Sequence, residues 1–411
     1  MNKIFWFSSG LLLCFSFSQD YLWPVKAEKN LTAVFGEERP GRYHTGIDIR
    51  TFGQIGYELV AIEDGYLSRV RTSSKGYGKT IYIKLKDGNT AVYAHLDHFT
   101  PEIDNLVNAL HQYYGKYTID HKLALNKYLV EKGDLIGYSG DTGGVSGPHL
   151  HFEIRNSDGQ PINPFLTSLN VEDHIPPIIE AIAFIPLDRK AKIGGFSEHK
   201  VYPLKKISDA EYVLEDTIFL AGNIGLAVQA YDRITNQFFN FGIHSVNLLV
   251  DAQFIYSMQY DEINWENASK LYTEKNYALA RMGLGKFYHL FSNKESRELP
   301  FVNSKSREGF NFKRGGPHDT IINIEDYAGN KVEVKTYIYS DQIPEFNYTT
   351  VFDNRKCTIT FENNQNYNPS FYLTGKFENS TRITPDYYEM GNNIYIIENI
   401  RNPYDIVEIS A

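Results

Sequence analysis

The sequence predicts a mainly β protein, and length, composition and glycine spacing are the features that indicate it. At about 150 residues per domain, a chain of 411 residues is long enough for roughly two to three domains. It contains 30 Tyr and 26 Phe, and these aromatic residues favour strands over helices. Glycines recur at turn-like intervals from Gly46 to Gly147, as expected for many short antiparallel strands joined by tight turns.

Composition and charge exclude several classes of protein. Hydrophobic residues make up 42% of the chain and charged residues 22%, so it is neither disordered nor a membrane bundle. The formal net charge is -9. Nucleic-acid binding requires a basic surface, so we expect no nucleic-acid partner.

The N-terminus predicts export. Lys3 is followed by an uncharged apolar run from Ile4 to about Phe17, which is shorter than the ~20 residues that cross a bilayer. Ser16 and Ser18 place small residues where a signal peptidase reads the chain. We therefore predict a signal peptide over residues 1–18 and a location in the periplasm or at the cell surface, with an uncleaved anchor as the alternative. No other segment is long and apolar enough to cross a membrane, so the mature chain should have no transmembrane helix.

The two cysteines indicate that the mature fold is stabilised by its hydrophobic cores and not by a disulfide. Cys14 lies in the predicted signal and follows Leu13, whereas a lipidated cysteine normally follows a small residue. Cleavage leaves Cys357 alone, and one cysteine cannot form an intrachain disulfide.

Residues 31–168 form the first predicted β domain. Its clearest hairpin joins Thr80–Leu85 to Thr90–His95. The stretch 101–130 differs, because apolar residues recur there at helical spacing after a possible cap at Asp104. We predict a helical insertion between strands. The helical positions are Leu106, Val107, Leu110 and Tyr114.

A linker at Asp173–Pro177 separates a second β region, 175–341, from the first domain, and a small β region, 342–411, ends the chain. The strand alternation of the second region loosely resembles bacterial immunoglobulin-like accessory domains. That resemblance implies one or two β-sandwich domains and a possible protein partner bound through them. The predicted strands are Ile224–Asp232, His244–Val250 and a hairpin of Thr320–Glu325 with Lys331–Ile338.

Two histidines mark the first chemical motif. Residues two apart on a strand share a face, so His149 and His151 point one way and Leu150, Phe152 and Ile154 point the other. Two imidazoles on one face of a sheet, backed by apolar side chains, suit a metal site.

A second motif supplies the missing ligand types. His44 and Asp48 lie four residues apart, but Gly41 and Gly46 argue against a helix and favour a turn into a strand. Histidine, carboxylate and histidine are a typical set for catalytic zinc, which keeps water in its fourth position and lowers the pKa of that water towards 7. Amide hydrolysis also needs a general base and a group that stabilises the oxyanion. His149 and His95 remain for those roles.

These motifs together resemble the lysostaphin/LytM-type zinc metallopeptidases, which cut the peptide cross-links of bacterial cell walls. The resemblance covers about residues 31–168 and implies a glycine-rich antiparallel β fold of the duplicated hybrid motif type. The motifs that carry it, in order, are His44-x-x-x-Asp48, Tyr93-x-His95-Leu96 and Gly147-Pro-His149-Leu-His151-Phe-Glu153.

The resemblance also implies residue roles. His44, Asp48 and His151 correspond to the zinc ligands and His149 to the general base. His95 corresponds to the histidine that assists the scissile carbonyl or the leaving group.

Four further features accompany the resemblance. Glu153 is placed to orient a ligand histidine. Arg39 is expected in a structural salt bridge, with a bidentate contact to a substrate carboxylate as the alternative. Val130–Gly137 resembles a hairpin before the zinc strand. The stretch 101–130 is longer than expected in a minimal family member. It either lies over the substrate groove and restricts access, or it has no role in activity.

The sequence thus predicts an exported zinc metallo-endopeptidase that acts on peptidoglycan. The alternatives are a non-catalytic wall-binding regulator or activator of another wall hydrolase, and a structural role of the C-terminal β regions. The sequence leaves open which cross-link bond is cut.

Overall fold

The computed structural model of the chain describes residues 20–305, 309–311, 315–341, 348–361, 370–374, 384–391, 393–398, 400 and 406–410. The predicted signal peptide, 1–18, and Cys14 lie outside the described residues. Strands dominate this part of the chain and two short α-helices interrupt them, so the mainly β prediction is confirmed. Within the same ranges, no helix has the length and apolar character needed to cross a membrane.

The N-terminal region, up to residue 168, consists of short strands around one α-helix. Their bounds are β1 (Leu31–Ala33), β2 (Glu38–Arg39), β3 (Arg42–Tyr43), β4 (Ile47–Arg50), β5 (Glu58–Val60), β6 (Gly65–Thr72), β7 (Lys79–Leu85), β8 (Thr90–Phe99), α1 (Pro101–Tyr114), β9 (Ile119–Lys122), β10 (Leu129–Val130), β11 (Leu135–Ser139), β12 (His149–Arg155), β13 (Pro161–Ile162) and a 3₁₀ turn at Pro164–Leu166.

One antiparallel sheet organises this region. Its described strands run in the order β1-β4-β12-β8-β7-β6-β10, with β5, β9, β11 and β13 attached at the sides. The predicted β7–β8 hairpin is confirmed. The hairpin expected over Val130–Gly137 is wrong, because β10 pairs with β6 whereas β11 pairs with β5 and β8. Strand β12, with its two histidines, lies in the middle of the sheet between β4 and β8.

The predicted helix is present, but it begins earlier than expected. Thr100 is the N-cap and Pro101 is the first helical residue, a position where the missing amide of proline costs nothing and its fixed φ suits the helix. Asp104 therefore lies in the first turn and does not cap the helix. Gly115 ends the helix in the left-handed conformation, with φ 65°. The rest of the stretch 101–130 includes β9 and β10, which extend the sheet along β6.

The second region continues the β architecture. Its elements are β14 (Ile178–Pro186), β15 (Lys192–Ile193), β16 (Lys200–Pro203), β17 (Lys205–Ser208), β18 (Glu211–Val213), β19 (Ile218–Ala221), β20 (Asn223–Tyr231), β21 (Ser245–Val250), β22 (Gln253–Gln259), α2 (Tyr277–Arg281), β23 (Tyr288–His289), β24 (Val302–Ser304), β25 (Phe310–Asn311), β26 (Gly316–Glu325), β27 (Lys331–Asp341) and 3₁₀ turns at Leu271–Thr273 and Ser296–Glu298.

Two sheets form this second region and share one core. Among the described strands, one sheet has the order β16-β14-β20-β23 and the other β15-β19-β27-β26-β21-β22-β24. The predicted strands are present as β20 and β21, and the predicted hairpin is β26–β27. The immunoglobulin-like assignment and the domain boundaries stay predictions.

The described part of 342–411 also consists of strands. Cys357 is buried there as a free thiol. The strand bounds are β28 (Tyr348–Asp353), β29 (Lys356–Phe361), β30 (Ser370–Thr374), β31 (Tyr387–Glu389), β32 (Ile394–Ile397) and β33 (Ile406–Ser410).

The first and second regions interlock just before His44. Phe35 and Tyr43 belong to the core of the second region and are fully buried. The Tyr43 ring lies 6.0 Å from that of Tyr260 and 5.3 Å from that of Phe301. The segment that leads into the first motif is therefore held by aromatic side chains of the second region.

Candidate metal centre

Strand β12 presents its side chains in the predicted alternation. Leu150, Phe152 and Ile154 are fully buried in the core of the sheet. His149 and His151 lie on the opposite face, where His149 is half-buried and His151 is buried. Period-two geometry therefore places both imidazoles on one side of the central strand.

The first motif comes to this strand through β4. Asp48 on β4 pairs in register with His151, and His44 lies in the turn between β3 and β4. Gly46 makes this turn possible, because a Cβ there would lie 2.3 Å from the backbone oxygen of Phe152. The segment is thus a turn into a strand, as the glycines predicted, and it presses directly against β12.

Three ligand-type atoms converge where the two motifs meet. His44 Nε2 lies 3.0 Å from Asp48 Oδ1, and His151 Nδ1 lies 2.9 Å from the same oxygen. The two nitrogens are 3.0 Å apart. All three residues are buried, and together they form a group able to hold a metal ion.

The outer hydrogen bonds of the two histidines fix their tautomers. His44 Nδ1 donates to the backbone oxygen of Val34 at 2.7 Å, and His151 Nε2 donates to Glu153 Oε1 at 2.9 Å. When both rings are neutral, the two nitrogens that face each other therefore carry lone pairs. Two lone pairs at 3.0 Å repel unless a proton or a cation lies between them. The donor set fits zinc, which is commonly held by histidine and carboxylate whose other atoms are hydrogen-bonded.

Two arginines balance the buried carboxylates. Arg39 Nη2 lies 2.6 Å from Asp48 Oδ2, the oxygen turned away from the histidines. Arg155 Nη2 lies 2.6 Å from Glu153 Oε2. One oxygen of each carboxylate thus contacts histidine, and the other contacts a guanidinium.

The pKa shifts in this cluster follow from burial and pairing. Burial lowers the pKa of His44. Burial alone would raise the pKa of Asp48, but His44 and His151 hold it well below its usual range. Burial alone would lower the pKa of His151, but hydrogen bonds to Asp48 and Glu153 raise it to about 9. The protonation states of the three residues therefore depend on one another, and the carboxylate of Asp48 is ionised.

His95 reaches the same face through an irregularity in β8. Ala94 pairs with His151, so simple alternation would turn the next side chain into the core with Tyr93. His95 instead has φ 66°, and the register of β8 shifts around it. The ring consequently lies 5.0 Å from that of His149 and 5.8 Å from that of His151.

Among the described residues, His149 and His95 make their ring hydrogen bonds through Nδ1 and none through Nε2. His149 Nδ1 donates to the backbone oxygen of Gly147 at 2.9 Å, and His95 Nδ1 donates to that of Thr142 at 2.9 Å. His149 Nε2 lies 3.6 Å from Asp48 Oδ1. Burial, assisted by the two neighbouring imidazoles, lowers the pKa of His95 to about 3. Each ring, with its proton on Nδ1, therefore carries a lone pair on Nε2.

The sequence did not reveal every group that builds the site. The Tyr77 ring stacks on His151 at 5.2 Å, and its hydroxyl donates to Glu153. Thr45 Oγ1 also donates to Glu153 Oε1, at 2.8 Å. Tyr77 stands between two glycines, and a Cβ on Gly78 would lie 2.3 Å from the backbone oxygen of Thr142. Those glycines were the available signal, because they let two loops pack backbone against backbone beside the site.

His98 and the helix stand apart from the cluster. His98 is exposed, forms a hydrogen bond with Asp97 and stacks on Tyr138. Within the described ranges, no hydrogen bond joins α1 to the five predicted site residues; His111 of the helix bonds Thr72 instead.

An antiparallel, glycine-rich sheet that brings two histidines and an aspartate together beside two further histidines defines a candidate metallopeptidase-type centre. The model of peptidase family M23 matches residues 101–164, a range that contains His149 and His151. The N-terminal region is therefore similar to the lysostaphin/LytM-type peptidases of this family.

The matching relatives are bacterial proteins. DD-carboxypeptidase/endopeptidase Mpg of Neisseria meningitidis is 32% identical over 128 residues, which are 31% of this chain and 23% of that protein. Glycyl-glycine endopeptidase ALE-1 of Staphylococcus capitis is 29% identical over 134 residues, 31% of this chain and 30% of that protein. The solved catalytic domain of lysostaphin from Staphylococcus simulans is 25% identical, with 34% of this chain and 92% of that one covered and a TM-score of 0.25. The chain thus spans less than a third of the length of these two curated relatives.

Proposed function

We propose that this protein is an exported zinc metallo-endopeptidase that hydrolyses peptide cross-links of bacterial peptidoglycan. The observation that carries the proposal is the convergence of His44 Nε2, Asp48 Oδ1 and His151 Nδ1 within 3.0 Å of one another. Both ligand-type nitrogens are preset by their outer hydrogen bonds, which supports a mixed nitrogen and oxygen site for zinc. Export rests on the apolar N-terminal segment that the sequence shows.

In this proposal the three converging residues hold zinc, and two histidines move protons. Zinc, when bound, supplies a Lewis acid and a water whose pKa is lowered towards 7. The bond from His149 Nδ1 to Gly147 keeps the ring proton on that nitrogen, so Nε2 is free to accept a proton as the general base. His95, whose ring lies 5.0 Å from that of His149, is assigned to the scissile carbonyl or the leaving group.

Substrate and bond are separate parts of the proposal. The two curated relatives are named as a DD-carboxypeptidase/endopeptidase and a glycyl-glycine endopeptidase, so both point to peptide bonds but to different ones. Peptidoglycan stem peptides and cross-links are therefore the substrate class that we propose. The bond that is cleaved has to be identified from the reaction products.

Digestion of purified peptidoglycan tests the proposal. The zinc-loaded full chain is incubated with walls, and the products are identified by mass spectrometry with chelator and after zinc is restored. We expect zinc-dependent release of cleaved stem peptides. His98→Ala is the matched control, because this histidine of β8 is exposed and lies outside the cluster. A zinc-loaded protein that binds walls and releases no peptide would instead support the non-catalytic regulator.

A further inference from the structure

A second group of ligand-type side chains lies where the linker meets the second region. Asp173 comes from the linker, Asp232 directly follows β20, and Asp326 directly follows β26. One oxygen from each carboxylate lies within 4.8 Å of the others. Asp173 and Asp232 also line a small cavity with Tyr327.

The three carboxylates differ in how well the protein satisfies them. Asp173 Oδ1 accepts hydrogen bonds from the amide and the hydroxyl of Thr235, at 2.9 and 3.0 Å. Asp326 Oδ1 accepts the amide of Asn330 at 2.9 Å. Asp232 is 2% exposed, and its buried Oδ1 has no hydrogen-bond partner among the residues that the structure describes. A buried, ionisable oxygen without a partner is costly, and it points to a group that is bound there in solution.

The local charge favours a cation. In the described part of the chain, none of the ion pairs involves Asp173, Asp232 or Asp326. The protein therefore brings three acids together without a basic side chain to neutralise them.

We propose that Asp173, Asp232 and Asp326 bind a calcium ion that fastens the linker to the second region. Calcium takes oxygen ligands in flexible geometry, which suits carboxylates from three separate segments, whereas magnesium demands a near-ideal octahedron. Hydrogen bonds from Thr235 already hold the linker at this point, so the ion would add to an existing contact. This site is independent of the proposed peptidase function.

Thermal unfolding of the full chain is the test. The protein is freed of metal and chelator, reloaded with one equivalent of zinc, and unfolded with and without calcium chloride. At a hundredfold excess over the dissociation constant, we expect calcium to raise the unfolding midpoint by about 5 °C. The matched variants are Asp232→Asn, which should lose this shift and be more stable than wild type without calcium, and Asp158→Asn, an exposed turn residue that should keep the shift.

Terbium supplies a second readout that needs no variant. Tyr327 lines the cavity, so excitation of tyrosine should sensitise terbium luminescence, and calcium should quench it by displacement. Absence of both the calcium shift and the terbium signal in wild type would overturn the site and leave a proton shared among the acids. An equal calcium shift in Asp232→Asn would place the ion elsewhere. A shift with magnesium and none with calcium would overturn the assignment to calcium.

Discussion

Two clusters of potential ligands in one chain differ in chemistry. The N-terminal cluster joins two imidazoles and one carboxylate, whereas the cluster at the linker has three carboxylates. In the first, Glu153 and the backbone of Val34 hold the two histidines, and Arg39 balances the acid. In the second, Asp232 has an unpartnered oxygen.

The residues around each cluster favour a different kind of ion. Fixed tautomers and a balanced carboxylate give directional nitrogen and oxygen donors, which suit zinc. Unbalanced oxygens give a strong negative field with loose geometry, which suits calcium.

The largest effect is expected for His149→Ala. If this residue is the base and lies outside the ligand set, activity on peptidoglycan should fall by ~10²–10⁴-fold while bound zinc stays near the wild-type level. Activity assays and metal analysis of the same preparation check both. Loss of zinc together with activity would mean that the roles of His149 and His151 are exchanged.

Tyr43→Ala tests how far the N-terminal cluster depends on the second region. The ring is fully buried between Tyr260 and Phe301, so its removal should cost ~3–5 kcal/mol of unfolding free energy. Because His44 is the next residue, zinc affinity should fall as well. Denaturant unfolding and zinc titration measure the two effects. Tyr113→Ala, at a tyrosine that is 82% exposed, should change neither, and an equal loss there would discredit the interlock.

Glu153→Gln probes the hydrogen bond that orients His151. The amide cannot match the carboxylate as an acceptor, so we expect zinc affinity to fall ~10–100-fold. Competition with a chromophoric chelator measures this affinity. Tyr77→Phe removes a hydroxyl that donates to Glu153 but keeps the bond between Glu153 and His151, so its effect should be smaller. The reverse order would assign the orienting role to Tyr77.

The smallest effect concerns His289, a histidine of the second region. Burial lowers its pKa to about 4, with a further contribution from Lys275. Between that value and the ordinary pKa of about 6.5 the unfolded chain binds a proton that the folded chain does not. The stability that His289 contributes is therefore complete above the ordinary pKa and is lost as the pH falls towards 4.

His289→Gln should consequently show a smaller drop in unfolding midpoint than wild type between about pH 7 and pH 5. His98→Gln is the control, since the side chain of His98 is 46% exposed and its variant should follow the wild type. Identical pH profiles for wild type and His289→Gln would contradict the assignment.

Local rules predicted much of the fold and of the candidate site. Strand alternation predicted that His149 and His151 share one face. Gly41 and Gly46 predicted that Asp48 lies on a turn that leads into a strand. The direction of the His95 side chain was not predicted, because it depends on a left-handed backbone conformation that strand alternation cannot foresee.

Long-range features escaped the sequence. Asp173, Asp232 and Asp326 are far apart in the chain, and they meet because the linker and the ends of two strands from different sheets lie at the same place. Tyr43 likewise gave no sign that it packs against another region. Pairing and packing across separate segments depend on the whole fold, which no single motif encodes.

The proposed function requires that His44, Asp48 and His151 hold zinc. An anomalous difference map, from crystals grown with both zinc and calcium and measured on both sides of the zinc absorption edge, tests it most directly. We predict a zinc peak between His44 Nε2, Asp48 Oδ1 and His151 Nδ1. The absence of that peak, or a zinc peak among Asp173, Asp232 and Asp326 instead, would contradict it.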